Sequence, residues 1–454
     1  MYQPFIFKLE SGKSDILDKP VSKDNLILSS TINFPLFSLG FHSFLHRTKN
    51  AMSITNNLQT KNKFYYIVSP FEHVIANYED SLKNLTKQYL NIKEDTPDIL
   101  SRAFYKMWEM LFLFDLASKK EMTYAALAEG PGAFIQATIA FREKLGQGIA
   151  KDKIFGVTIH PEKGKYIEMG KQFMGFYNKI NPGLINIHET VGTEQLKKHK
   201  AKDNGDITQV KTISNFKKDI EKSKTYADLV TADGGFDWDN ENYQEQEGYQ
   251  LIFGEIVAAL KVQNKGGHFV LKIFESFTIP TIKMIYLLSS FYEEAYIYKP
   301  FFSRQSNSEK YIVCKGFKYD QNKDAALLKT KLASLEGVLE GMTSNQFVFD
   351  IYPDLIIPAE YLERFKFINI EIANPQQIMI NEIIKYIKEN NYFGEKYHTY
   401  REKQVEATKW WVSNFYPPSN NLFEKNKEDL QKILKSSEDK YKAEETKFLS
   451  TLIK

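Results

Sequence analysis

The feature that most constrains this chain is a change of hydrophobic period that recurs between residues 96 and 320. Short runs rich in β-branched and aromatic residues alternate there with longer stretches whose apolar residues fall at helical spacing. Such alternation builds βαβ units, and these give a mostly parallel sheet with helices on both faces. The pattern predicts a helix from Ile99 to Leu116, a strand from Thr123 to Ala128, a Gly-Pro-Gly turn, and a helix from Phe134 to about Lys144. Further strands are predicted from Lys153 to Ile159, Leu184 to His188, Ala227 to Ala232 and His268 to Phe274, with a long helix from Tyr243 to Val262. Glu294 to Tyr298 and Lys310 to Lys315 close the region. Their connection is too short for a crossover helix, so this last pair is antiparallel. The fold class is α/β.

The flanks read differently. Residues 1–95 carry short apolar patches, Phe5-Ile6-Phe7, Ile32 to Phe41 and Tyr65 to Val68, broken by Ser, Asn and Lys. We take them as an irregular N-terminal extension to a 96–320 domain. Residues 321–454 form a mostly helical C-terminal extension. Its last stretch, Asp429 to Ile453, places Leu430, Ile433, Leu434, Tyr441, Phe448 and Leu452 near helical spacing, as a helix packed on the body does. Trp410, Trp411 and Phe415 read first as core and second as a stacking platform for a base.

Composition excludes several classes. At 43% apolar and 26% charged, the 454-residue chain is neither disordered nor fibrous. A single cysteine, Cys314, rules out an internal disulfide and a Cys-based zinc site, and it indicates a reducing compartment. The first residues lack the pattern of a signal peptide, and apolar runs such as Met284 to Leu288 are far too short for a bilayer span. The expectation is an intracellular protein, cytoplasmic rather than nuclear, with no membrane partner. Sixty Lys plus Arg against 57 Asp plus Glu give a net charge of only +3, so any polyanion-binding surface is local. One such surface is offered by Lys197, Lys198, Lys200, Lys202, Lys211, Lys217, Lys218, Lys222 and Lys224, as a phosphate track or a solvated face. His42 and His46 stand four apart without an obvious third ligand, so no metal site is assigned.

Two constellations carry chemistry. Glu129-Gly130-Pro131-Gly132-Ala133-Phe134 joins a strand to a helix, where small residues let main-chain N–H groups approach a ligand. A third glycine for a dinucleotide fingerprint would fall at Ile135, and no Gly-Lys-Ser/Thr follows, so a compact ligand with a carboxylate fits better. S-adenosylmethionine is the candidate. The second constellation is four charges. Asp233 follows the fourth strand, Lys272 interrupts an apolar strand, Glu309 opens the last strand, and Lys106 lies on the helix before the first. Three of these converge on the carboxyl edge of the sheet, where open α/β sheets bind ligands, and the preceding helix delivers the fourth. Two lysines near each other are expected to depress an ammonium pKa and supply a neutral amine as general base.

In this order, Lys106, Asp233, Lys272 and Glu309 resemble the Lys-Asp-Lys-Glu tetrad of the FtsJ/RrmJ-like S-adenosylmethionine-dependent RNA 2′-O-methyltransferases. The similarity covers about residues 96 to 320 and extends through Lys272-Ile273-Phe274-Glu275-Ser276-Phe277-Thr278 and Ser308 to Gly316, most like the mRNA cap enzymes of that family. It implies a Rossmann-like methyltransferase sheet whose cofactor, S-adenosylmethionine, is held by Ser101, Glu129, Gly130, Pro131, Gly132, Ala133, Phe134, Asp206 and Ile207. Ala133 and Ser101 depart from residues common in the family. It further implies methylation of the ribose 2′-hydroxyl of the first transcribed nucleotide of capped mRNA. Alternative targets are the second cap nucleotide, rRNA or tRNA. A further alternative is a catalytically idle RNA-binding subunit of a capping complex. Lys272 would act as base, Lys106 would orient the hydroxyl, Asp233 would hold Lys272, and Glu309 would complete the network. The chemistry needs no metal. Capped mRNA is the implied partner, with other capping enzymes or RNA polymerase beside it.

Overall fold

A computed structural model describes residues 2–35, 39–57, 68–72, 96–162, 168–199, 201–235, 240–389, 394–417 and 420–452. Lys200, Ile453, most of the Tyr65 to Val68 patch and part of the Ile32 to Phe41 patch lie outside them. The strands are β1 (Phe5–Leu9), β2 (Leu26–Ser29), β3 (Thr123–Leu127), β4 (Lys153–Val157), β5 (Ile185–Ile187), β6 (Ala227–Ala232), β7 (Gln263–Ile273), β8 (Tyr292–Lys299), β9 (Lys310–Phe317) and β10 (Phe347–Ile351). Eight of them make one sheet in the order β1-β8-β9-β7-β6-β3-β4-β5. β5, β4, β3, β6 and β7 are mutually parallel, and β9 runs antiparallel to both β7 and β8. The expected α/β architecture, with its antiparallel final pair, is the one the chain adopts.

Strand order reverses between β3 and β6: the chain moves outward through β4 and β5, then returns to the other side of β3. A crevice opens at the carboxyl ends where two such halves diverge. Alternation along β3 sets up the two faces. Ala125 and Leu127 belong to one buried cluster, and Tyr124 and Ala126 to the other. The first cluster takes in residues of the helices Val210–Lys222, Tyr249–Val262, Ile279–Ser290 and Ala325–Gly341. The second takes in Ala103–Phe114, Ala133–Lys144, Lys171–Ile180 and Glu395–Phe415.

The flanking segments are bound into this body. β1 pairs with β8 from Phe5 opposite Lys299 to Leu9 opposite Ala295, so the first apolar patch is a sheet strand rather than irregular chain. Its side chains split between the faces, Ile6 on one and Phe7 and Leu9 on the other. β2 pairs antiparallel with β10, which joins the N-terminal segment to the C-terminal one. Trp411 and Phe415 are fully buried, and Trp411 Nε1 donates to Glu109 at 3.0 Å, so these rings are core and not a base platform. Leu430, Leu434 and Tyr441 of the helix Asn420–Leu452 are buried against the body. Cys314 is buried in β9. Among the described residues, no helix is long and apolar enough to cross a membrane.

Two local departures have clear causes. β7 begins at Gln263, five residues before the expected start, because a bulge holds Gly266 at φ +76 while Ala227 pairs with Gln263 and Leu229 with His268. The long helix before it is interrupted at Gly248, leaving a short turn over Gln244–Glu247 ahead of Tyr249–Val262.

If β1 is an integral edge strand, truncating its fully buried Ile6 costs what a core residue costs. Ile6→Ala is expected to lower unfolding free energy by about 2–4 kcal/mol in a denaturant titration. A change below about 0.5 kcal/mol would return residues 5–9 to a dispensable leader.

Candidate active site

The site is assembled from four chain segments at the carboxyl edge of the sheet. The Ala103–Phe114 helix buries ten of its twelve residues, and Lys106 is one of the two left partly exposed. The orientation of this helix is fixed one turn further on by Glu109. That buried carboxylate accepts from Tyr298 Oη at 3.0 Å, Trp411 Nε1 at 3.0 Å, and the main-chain N–H groups of Phe301 at 2.8 Å and Phe302 at 3.1 Å. Burial pushes its pKa up to about 7, which the four donors partly offset. Helix, β8 and the C-terminal helices are thereby tied together beneath Lys106.

The four charged residues form two close pairs. Lys106 Nζ lies 2.7 and 2.8 Å from the two carboxylate oxygens of Glu309. Lys272 Nζ donates to the main-chain oxygen of Asp233 at 2.8 Å and lies 3.3 Å from Asp233 Oδ1. All four side chains are between 12% and 18% exposed, enough for a ligand to reach them and too little for water to screen them. Although burial pushes the Glu309 carboxyl up, Lys106 and Lys272 hold it well below the usual carboxylate range.

Lys272 corrects one expectation. Burial alone would lower its pKa, but the charges of Asp233, Glu309 and Glu255 outweigh that, and the net direction is upward. The Asp233 and Glu309 carboxylates weigh most on this ammonium, while Lys106 is committed to Glu309. In the free chain Lys272 is therefore held as an ammonium rather than as a neutral amine.

Sequence reasoning missed several supporting groups. Tyr311, directly opposite Lys272 across β7 and β9, donates its hydroxyl to Asp233 Oδ1 at 2.9 Å. Glu255 accepts from the Gly234 N–H at 3.1 Å, and burial raises its carboxyl to about 8. A glutamate inside the apolar run Phe253 to Val257 was the readable signal, the same anomaly that exposed Lys272. Lys299 donates to Glu309 O at 2.7 Å and Asn307 O at 2.9 Å, fixing the main chain that carries Glu309, and burial lowers its pKa to about 7.

The Gly-Pro-Gly turn lies beside these pairs, after β3. Gly132 has φ +110, and a Cβ there would meet Met169 Sδ at 2.8 Å and Phe173 Cε1 at 3.2 Å. Ala133 and Phe134 are buried, and the Phe134 N–H donates to Glu129 Oε1 at 3.1 Å. Glu129 Oε2 is buried with no partner, and burial together with the Asp233 charge raises this carboxyl to about 8. Ser101 Oγ accepts from the Ala103 N–H at 3.2 Å at the start of the Lys106 helix. Asp206 Oδ1 accepts from Thr208 N at 3.0 Å, in a loop packed on Thr158 just beyond β4. The Ile207 side chain is buried in the core, which leaves only its main chain for a ligand. The lysine stretch does not make a single track. Lys202 is paired with Glu189, Lys217 with Glu221 and Lys222 with Asp219. The Val210–Lys222 helix also leads away from the carboxyl edge to the start of β6, and it carries Lys217, Lys218 and Lys222 with it.

Residues 99–317 match the family model described as "FtsJ-like methyltransferase". They form an FtsJ-like methyltransferase domain. Three curated relatives are similar to this chain. A cap-specific mRNA (nucleoside-2′-O-)-methyltransferase 2 from Drosophila melanogaster is 28% identical over 60% of this chain and 37% of its own length. A cap-specific mRNA (nucleoside-2′-O-)-methyltransferase 1 from Homo sapiens is 29% identical over 48% of this chain and 26% of its own. The methyltransferase 1 of Trypanosoma cruzi is 30% identical over 46% and 52%. The chain thus spans between a quarter and about half of the relatives it matches.

Because Gly132 holds a left-handed conformation against Met169 and Phe173, Gly132→Ala is expected to destabilise the FtsJ-like domain by about 1–3 kcal/mol in chemical denaturation. Unchanged stability would mean that the turn relaxes freely and that its shape is not imposed by packing.

Proposed function

We propose that the FtsJ-like domain transfers a methyl group from S-adenosylmethionine to the ribose 2′-hydroxyl of the first transcribed nucleotide of capped mRNA. The observation that carries this reading is the double pairing, Lys106 with Glu309 and Lys272 with Asp233, at the carboxyl edge of the domain. The relatives, named as cap-specific 2′-O enzymes of types 1 and 2, support the substrate class.

The residues present fit the cofactor. The buried, unpartnered Glu129 Oε2 is an acceptor awaiting a donor, and S-adenosylmethionine carries cationic and N–H groups that meet that need. Glu129 and the 130–134 turn would hold one part of the molecule and the Asp206 loop another. When bound, the cofactor supplies an electrophilic methyl on a positively charged sulfonium, and a positive charge beside an ammonium favours the neutral amine.

The chain's own groups do the rest. Lys272 takes the proton of the ribose hydroxyl, with Asp233 fixing its Nζ and Tyr311 fixing Asp233. Lys106, anchored on Glu309, donates to the acceptor oxygen and holds it toward Lys272. Because these side chains are already positioned by buried partners, little reorganisation is needed when the ribose arrives.

Methyl transfer is therefore expected on RNA that carries a cap, with nuclease mapping placing the label on the ribose of the first nucleotide. Label on a base, or only on uncapped structured RNA, would overturn the reading; label on the second nucleotide would correct the position alone. Lys272→Ala is expected to lower the transfer rate by about two to four orders of magnitude while leaving binding of S-adenosylmethionine and capped RNA within a few-fold. Lys272→Arg should fail almost as badly, because a guanidinium does not give up its proton at neutral pH. Substantial activity in the Arg variant would reduce Lys272 to a fixed positive charge.

A further inference from the structure

The sequence left His42 and His46 without a third ligand, and the fold supplies one. Both residues lie on the helix Leu39–Asn50, one turn apart, with ring centroids 3.8 Å from each other. Glu275 arrives from the other side, two residues past the end of β7. His46 Nε2 is 2.8 Å from Glu275 Oε2. One nitrogen from each imidazole and one oxygen of Glu275 all fall within 4.8 Å of one another. Among the described residues, this is the one group of three such side chains with that spacing.

We propose that His42, His46 and Glu275 form a divalent transition-metal site, zinc by its donor set, which clamps the N-terminal helix to the chain just beyond Lys272. Two imidazoles and a carboxylate are a known ligand combination for zinc with an open fourth position. The surroundings suit it. Glu275 is buried, and its second oxygen is held by Lys49 Nζ at 2.9 Å, which also donates to Glu241 O at 2.6 Å. A ligating carboxylate oriented through its other oxygen is the usual outer-shell arrangement. The two imidazoles are partly exposed, which leaves a path for the ion and room for a water ligand. His42 also packs edge-on against Phe277 at 4.9 Å, so its ring is held rather than free to swing. Ligands around a tetrahedral zinc stand roughly 3.3–3.6 Å apart, so the His46–Glu275 hydrogen bond opens by about half an ångström on binding.

The competing reading is a closed hydrogen-bond network, Lys49 to Glu275 to His46, with no ion. Metal titration of the full chain separates the two. After chelator treatment, zinc is added in calorimetry and in thermal melts, and cobalt is added as a visible-absorption probe. One equivalent of zinc is expected to bind saturably and raise the melting temperature, and magnesium should do neither. Cobalt should give the absorption of a four-coordinate site. His42→Ala, which removes a half-buried ligand and no ion pair, is expected to weaken zinc binding by at least about tenfold. No saturable zinc binding by the wild-type chain would overturn the proposal. So would binding that survives His42→Ala unchanged, which would place the ion elsewhere. Should that variant fail to fold, the cobalt spectrum of the wild-type chain carries the test, since the weak absorption of a six-coordinate all-oxygen site would overturn the proposal.

Discussion

Everything in this molecule's site follows from the cost of holding charge away from water. Lys106, Asp233, Lys272 and Glu309 are each more than four-fifths covered, and an uncompensated charge there would be expensive. The fold meets that cost by pairing them two by two. The carboxylate just ahead of β9 takes the lysine of the Ala103–Phe114 helix, and the residue after β6 takes the lysine of β7. Each partner comes from a different segment, so the pairs exist only when helix, β6, β7 and β9 are all in register. The chemistry and the topology are the same constraint seen twice.

A second tier of buried groups keeps those pairs in place. Glu109, with four donors, sets the helix under Lys106, and Lys299 grips the main chain at Glu309. Tyr311 turns Asp233 toward Lys272 from the neighbouring strand, and Glu255 anchors the Gly234 N–H. This is also why Lys272 has a raised pKa in the free chain. Its surroundings are built to hold a cation, and only a further positive charge shifts that balance. We propose that the cofactor provides it, so that the lysine becomes a base when the site is loaded.

Much of this was legible in the sequence, for identifiable reasons. The parallel strands are buried on both faces, so Thr123 to Leu127 and Ala227 to Ala232 read as short apolar runs bounded by turns. Lys272 stood out because a charge inside such a run needs a partner. The parts that were hidden depend on contacts distant in sequence. Phe5–Leu9 is too short to announce itself as a strand until β8 is present to pair with it. β2 needs β10, more than three hundred residues away. Glu275 looked like one residue of a motif and not like the partner of His46 and Lys49. The direction of the Lys272 shift depends above all on Asp233 and Glu309, which reach it only once β6, β7 and β9 lie side by side.

The central claim is that Lys272 changes from ammonium to base when the site is loaded. It is tested most directly by an NMR titration of the Lys272 side chain, isotope-labelled, in the free protein and with S-adenosylmethionine bound. We predict a pKa above the ordinary lysine value in the free chain, in keeping with the Asp233 and Glu309 charges acting on it, and a clear fall once the cationic cofactor is present. The same pKa in both states, or a rise on binding, would contradict the account.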